Sequence, residues 1–124
     1  EYIELAIRLM PQERDEVTAQ GVLARAQTAF NRYLRDAQQR EIAPRLEQML
    51  MDRMMNAETQ GLRITNFRAF EGVAMTDGAR ETLKKILRGE VRIPGMELRS
   101  RDRFDIITTL LIRNDQEAPA LLEA

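Results

Sequence analysis

The stretch TDGARETLKKILRGEVRIPGMELRSRDRFDIITTLL, residues 76–111, decides the fold class of this chain. Thr76 is a typical N-cap, and the apolar residues after it recur at the three- and four-residue spacing of one helix face. Gly89 stands where a left-handed C-terminal cap is expected, and Pro94 with its following glycine is a turn signal. Ser100 can then cap a second helix. The stretch therefore predicts two helices joined by a short connector.

The rest of the chain shows the same helical spacing and no sustained alternation of apolar and polar residues. We therefore predict an all-α fold, an irregular array of six or seven antiparallel helices that resembles the α-α superhelices of HEAT and armadillo proteins. The predicted boundaries are a break at Pro11, an N-cap at Asp15, a third helix with Pro44 in its first turn, a break at Gly61, and a seventh helix capped by Asp115.

The apolar spacing also predicts which side chains face the core. Large-to-alanine changes at core positions such as Phe30, Phe67 and Leu87 should cost roughly 2–5 kcal/mol each. The predicted core faces comprise Val22, Leu23, Ala26, Ala29, Phe30, Tyr33 and Leu34 in the second helix, Phe67, Phe70, Val73 and Ala74 in the fourth, Leu83, Ile86 and Leu87 in the fifth, and Phe104, Ile107, Leu110 and Leu111 in the sixth.

Composition limits the functions that the chain can perform. The 124 residues carry 19 basic and 20 acidic side chains, a net charge of -1, which argues against a nucleic-acid or membrane partner. Histidine and cysteine are both absent, so zinc sites and the usual nucleophile–base pairs cannot be built. We therefore predict no catalytic, cofactor-binding or metal-ligating residue, and a site made of carboxylates alone is the enzymatic alternative that composition leaves open. The absence of cysteine and of an apolar span or signal peptide favours a cytoplasmic location.

Two residue groups invite a functional interpretation and have a simpler structural one. Met51 and Met55 could line an adaptable peptide groove, but methionines at helical spacing usually fill a core, or here contact a helix of the full protein. The carboxylates Glu13, Asp15 and Glu16 could suggest a metal site, but acidic residues at a helix start also oppose the helix dipole. We favour the structural interpretation of both groups.

The charged residues at the start of the sixth helix form a third group. Asp102, Arg103 and Asp105 could look like a catalytic cluster. They fit better as a helix-start charge pattern, with Arg103 paired locally or to a neighbouring helix.

One segment resembles a known family. Residues 86–89 look like a helix end, residues 93–96 (Ile-Pro-Gly-Met) like a connector, and Arg103-Phe104 like the opening pair of the next helix in the C-terminal helical domain of zinc aminopeptidases typified by aminopeptidase N. In many bacterial members a tryptophan stands where this chain has Phe104, and an acidic residue where it has Arg101.

The resemblance implies that residues 1–124 form a single helical domain, an excised fragment of a larger C-terminal domain with no chemistry of its own. Its partners would be the catalytic domain of the same polypeptide, which holds the zinc, and the peptide substrates of that enzyme. The family's H-E-x-x-H helix is not in this chain, so no catalytic residue is carried over. Arg63 and Arg68 are candidates for meeting the far end of a peptide, but we favour the simpler interpretation of solvated or ion-paired arginines. The alternative function is a freestanding helical scaffold that binds a protein or peptide partner, with the Met51–Met55 face as its groove.

Overall fold

The computed structural model describes residues 2–113, and the predicted seventh helix at Asp115 lies outside them. The all-α prediction is confirmed, since the described residues form helices and connecting segments without a strand. The described residues form six α-helices, α1 (Tyr2–Leu9), α2 (Glu16–Thr28), α3 (Asp36–Asn56), α4 (Gln60–Val73), α5 (Asp77–Leu87) and α6 (Ser100–Ile112).

The helices pack as three successive pairs in two layers. Each pair is formed by chain neighbours, α1 with α2, α3 with α4, and α5 with α6. Between the pairs, α1 contacts α3 in one layer, while α2 contacts α4 and α4 contacts α6 in the other. Side chains of α3 also contact α5, because the Thr82 hydroxyl lies 3.7 Å from the sulfur of Met51. This alternation of layers is how helical repeats stack into a superhelix.

The second helix ends differently from the prediction. After α2 the chain continues through a π-helical turn, Ala29–Tyr33, in which hydrogen bonds span five residues instead of four. Phe30 is buried as predicted, and its carbonyl accepts a hydrogen bond from the Gln39 side chain at 2.7 Å. The wider turn rotates Tyr33 off the core face, and Tyr33 is 77% exposed. Its assignment to the core was therefore wrong.

Pro44 does not start a helix. It lies in the interior of α3, which begins eight residues earlier at Asp36, where the Gln38 side chain accepts the Arg35 N–H at 2.9 Å. A proline here leaves the carbonyl of Arg40 without its intrahelical donor. Both Arg40 and Pro44 are on the exposed side of α3, so water can solvate that carbonyl. The buried opposite face keeps the helix continuous through the proline.

Gly61 does not mark the break before the fourth helix either. The break is residues 57–59, and Thr59 caps α4 by accepting the Leu62 N–H at 3.1 Å. Gly61 lies in the first turn of α4, where a Cβ atom would lie 2.1 Å from a carboxylate oxygen of Glu16. This glycine leaves room for the Glu16 carboxylate at the start of α4.

The boundaries of α5 match the prediction. The Thr76 hydroxyl accepts the Ala79 N–H at 3.2 Å, which confirms the N-cap. Gly89 follows the helix with φ +78°, and its N–H donates to the carbonyl of Ile86 at 3.1 Å. The Glu90 N–H donates to the carbonyl of Lys85 at 2.9 Å, and these two bonds together form a Schellman motif.

The sixth helix presents a different face from the predicted one. Ser100 is its first helical residue rather than its cap, and the terminus is closed by the Asp102 carboxylate, which accepts the Arg99 N–H at 3.1 Å. The fully buried side chains are Ile106 and Leu110, whereas Phe104 is 60% exposed. Of the predicted core residues of this helix, Leu110 is confirmed, Ile107 is half-buried, and Phe104 and Leu111 are exposed.

Candidate functional site

The acidic residues at the start of α2 are explained by helix capping. The Asp15 carboxylate accepts the Thr18 N–H at 2.9 Å and the Thr18 hydroxyl at 2.6 Å, and these bonds lower the pKa of Asp15. The Glu16 carboxylate accepts the Thr59 hydroxyl at 2.9 Å and so links α2 to the start of α4. Within residues 2–113 no cluster of three or more potential ligand residues could hold a metal ion.

The charged residues at the start of α6 lie close to α4, and Asp102 and Asp105 line a cavity of about 610 Å³ together with Arg68. Asp102 is buried, and its carboxylate lies 3.7 Å from the guanidinium of the mostly exposed Arg68. Glu71, one turn further along α4, faces the same group. Burial, followed by the charges of Asp105 and Asp102, raises the pKa of Glu71 to about 7, although Arg68 opposes the shift. The Arg68–Asp102 ion pair thus joins α4 and α6 beside a carboxyl group, Glu71, whose pKa is raised to about 7.

Arg103 is paired with a neighbouring helix, as one of the predicted alternatives states. Its guanidinium donates to the carbonyl of Leu87 at 3.0 Å. That carbonyl belongs to the last residue of α5, which the helix itself leaves without a donor. Arg103 therefore ties the end of α5 to the first turn of α6.

The Arg63 guanidinium is hydrogen-bonded to the connector, residues 88–99. Its Nε donates to the carbonyl of Pro94 at 2.7 Å, and its Nη1 donates to the carbonyl of Ala57 at 2.8 Å. Gln60, also on α4, donates to the carbonyl of Gly95. Gly95 has φ +82°, and its missing Cβ would lie 3.2 Å from the Arg63 guanidinium. The Pro-Gly turn is thus held in place by two side chains of α4.

The Met51–Met55 face is shared with the chain's own fifth helix. Both methionines are half-buried against the core, and the sulfur of Met51 accepts a weak hydrogen bond from the Thr82 hydroxyl of α5. The neighbouring helix that Met51 contacts is therefore part of the same chain, which leaves less of this face free to form a groove.

A groove that sequence reasoning missed lies between the end of α5, the connector and the start of α6. We call it the connector groove; its volume is about 390 Å³. Its apolar wall comprises Ile86, Leu87, Val91, Ile93, Met96 and Leu98, and the charged residues that line it are Arg88, Arg92, Glu97 and Arg103. The sequence signal was the alternation of apolar and charged residues in the connector, which is not a helical period.

The chain matches no protein-family model, no curated protein and no solved structure. In the part of the chain that the structure describes, no helix combines the length and apolarity needed to cross a membrane.

Proposed function

We propose that this chain is part of the non-catalytic C-terminal helical domain of a zinc aminopeptidase. In this role it closes over the catalytic domain of the same polypeptide and limits the entry of peptide substrates. The zinc and the hydrolytic chemistry belong to that catalytic domain. We propose a cytoplasmic location for the parent enzyme, because proteins of that reducing compartment rarely contain disulfides and this chain has no cysteine.

The observation that carries the proposal is the anchored turn of the connector. The segment that resembles the family, residues 93–95, is built into the tertiary structure. Ile93 is buried, the carbonyl of Pro94 is bound by Arg63, and Gly95 adopts the positive φ that favours glycine. Pro94 and Gly95 are exposed, but hydrogen bonds from α4 and the buried Ile93 hold the turn in one conformation, which supports treating it as a structural motif.

Two further features support a domain that works by contact rather than by chemistry. The paired helices form two layers, and such arrays provide extended surfaces for contact with other domains. Phe104, which occupies the tryptophan position of the resemblance, points outward and is available to contact another domain. The resemblance itself rests on the residues of the connector and its flanks.

The decisive experiment is to read the open reading frame upstream of Glu1. We expect an H-E-x-x-H motif followed by a glutamate a few helical turns later. A start codon close to Glu1 with no such motif would contradict the proposal and leave the freestanding scaffold as the function.

A second experiment measures hydrolysis of leucine p-nitroanilide by residues 1–124 alone, with and without added zinc. We expect no turnover above buffer, and the same assay on the full-length enzyme is the positive control. Zinc-dependent turnover by residues 1–124 would show that the chain itself is catalytic and would overturn the assignment.

A further inference from the structure

The connector groove combines an apolar wall with a positively charged opening. We call this opening the mouth; its charged residues are Arg88, Arg92, Glu97 and Arg103. Ile93 and Leu87 are buried at the groove, while Val91, Met96 and Leu98 are half-buried and leave apolar surface within reach of a ligand. Its volume of about 390 Å³ falls at the lower end of the ~300–1,000 Å³ typical of ligand pockets. That space accommodates one or two side chains of a peptide, not a whole folded element.

Carboxylates of the described residues neutralise some of the arginines at the mouth and not others. Arg88 is neutralised by Glu90 at 2.7 Å and Glu81 at 3.2 Å. Arg103 donates one N–H to the carbonyl of Leu87 and has no carboxylate partner within residues 2–113. Arg92 is exposed, and its side chain makes no hydrogen bond or ion pair with the described part of the chain.

The mouth therefore carries two arginines, Arg92 and Arg103, whose charge is not neutralised by an ion pair with any of residues 2–113, against one carboxylate, Glu97. A guanidinium is weakly hydrated and offers a planar set of donors that matches a carboxylate. A partner with a basic residue at this position would be repelled, whereas a partner with an acidic residue would be attracted.

We propose that the connector groove binds an extended, acidic segment of another protein. An aliphatic or aromatic side chain of that segment enters the apolar wall, and a flanking carboxylate pairs with Arg92 and Arg103. The proposal does not depend on the aminopeptidase assignment, because it uses only residues of the groove.

The test uses ¹⁵N-labelled chain, residues 1–124, and three sets of nine-residue synthetic peptides. The first set has a central leucine or phenylalanine flanked on both sides by aspartate or glutamate. The second keeps the central residue and replaces the acids with lysine. The third keeps the acids and has alanine at the centre. We expect only the first set to shift the amide resonances of residues 86–98 in a saturable way, and the shifts to weaken with added salt.

Two charge-reversal variants of the chain complete the test. Arg92→Glu should weaken binding of the first set about fivefold to tenfold, since an exposed ion pair is lost and replaced by repulsion. Arg101→Glu is the matched control, because Arg101 lies on α6 outside the groove and its reversal changes net charge equally. The Arg92 side chain has no polar contact within residues 2–113 to lose, so its variant should retain the fold.

Four outcomes would overturn the proposal. Three are equal binding of the lysine-flanked set, shifts that map away from residues 86–98, and equal weakening by both variants. Binding to phosphatidylserine vesicles without binding to the acidic peptides would also overturn it, because the groove would then serve a membrane surface. None of these results bears on the upstream reading frame, so the two proposals fail separately.

Discussion

Glu47 of α3 caps the N-terminus of α5 through Thr76. One carboxylate oxygen of Glu47 accepts the Thr76 N–H at 3.1 Å, and the other accepts the Thr76 hydroxyl at 2.5 Å. The N–H of Met75 adds a third bond at 2.8 Å. Glu47 is only 2% exposed, so its charge is balanced by these donors and by the positive end of the α5 dipole.

Removing this carboxylate should destabilise the chain strongly. We expect Glu47→Ala to lower the free energy of unfolding by about 2–4 kcal/mol, because three donors at the helix start lose a charged acceptor in a buried site. The measurement is urea unfolding followed by circular dichroism at 222 nm. Glu41→Ala is the matched control, since Glu41 is an exposed carboxylate on the same helix, and its change should stay within about 0.5 kcal/mol. Similar losses for the two variants would mean that the cap does not contribute to stability.

The register of α6 can be tested with two apolar residues two positions apart. Ile106→Ala should cost about 2–4 kcal/mol, because Ile106 is fully buried and the change leaves a cavity. Phe104→Ala should cost less than about 0.5 kcal/mol although it removes a larger side chain, because Phe104 faces solvent. Both values come from urea unfolding of the purified variants. A larger loss for Phe104→Ala would show that α6 packs with the face predicted from its sequence.

Alanine substitution at two glycines should change the stability of the chain in opposite directions. Gly21 lies inside α2, and a methyl group added there would have no neighbouring atom within 4 Å, so Gly21→Ala should stabilise the chain by about 0.5–1 kcal/mol. Gly89 has φ +78°, a conformation that side-chain-bearing residues rarely adopt, so Gly89→Ala should destabilise by about 1–2 kcal/mol. Thermal unfolding of both variants, with matched heating rates, measures the difference. Stabilisation by Gly89→Ala would contradict the Schellman motif.

The carboxyl group of Glu71 should make stability depend on pH near neutrality. Its pKa is about 7 in the folded chain, against 4.5 for the ordinary group, because burial and the α6 carboxylates Asp105 and Asp102 disfavour its charge despite Arg68. A raised folded pKa means that this contribution to stability is complete below the unfolded pKa and is lost as pH rises through about 7.

Glu71→Gln should remove this dependence, because glutamine stays neutral at every pH. Between about pH 5 and pH 8, the unfolding free energy of the unmodified chain should fall by on the order of 1–2 kcal/mol more than that of the variant. Urea unfolding at several pH values measures the two slopes. Equal slopes would show that Glu71 is ionised throughout this range, and Glu41→Gln controls for loss of one exposed carboxylate.

The sequence predicted correctly those helix ends that depend on hydrogen bonds within one helical turn. Thr76 and Gly89 were placed correctly because a cap depends on hydrogen bonds within one turn of the residue itself. Pro44 and Gly61 were misplaced because their usual meanings assume an isolated helix. The buried face of α3 outweighs the one hydrogen bond that Pro44 removes, and Gly61 lies in the first turn of α4, where its missing side chain leaves room for the Glu16 carboxylate.

The candidate surfaces were harder to predict than the helices. Apolar spacing identified Leu110 but could not choose between the faces that contain Phe104 and Ile106, because α6 has apolar residues on several sides. The π-helical turn that exposes Tyr33 leaves no signature in the spacing of apolar residues. The connector groove was missed because it is made by segments that meet only after α5 and α6 pack together.

The sequence by itself determined the helical class of this protein, the caps of α5 and the absence of histidine and cysteine chemistry, since these depend on residue types and on spacing within a turn or two. Tertiary structure alone decided that α3 continues through Pro44, which face of α6 is buried, and that Glu47 meets Thr76 across 29 residues of chain. The physical reason is that burial and buried hydrogen bonds between helices outweigh the smaller preferences of single residues, and those contacts exist only once the layers are assembled.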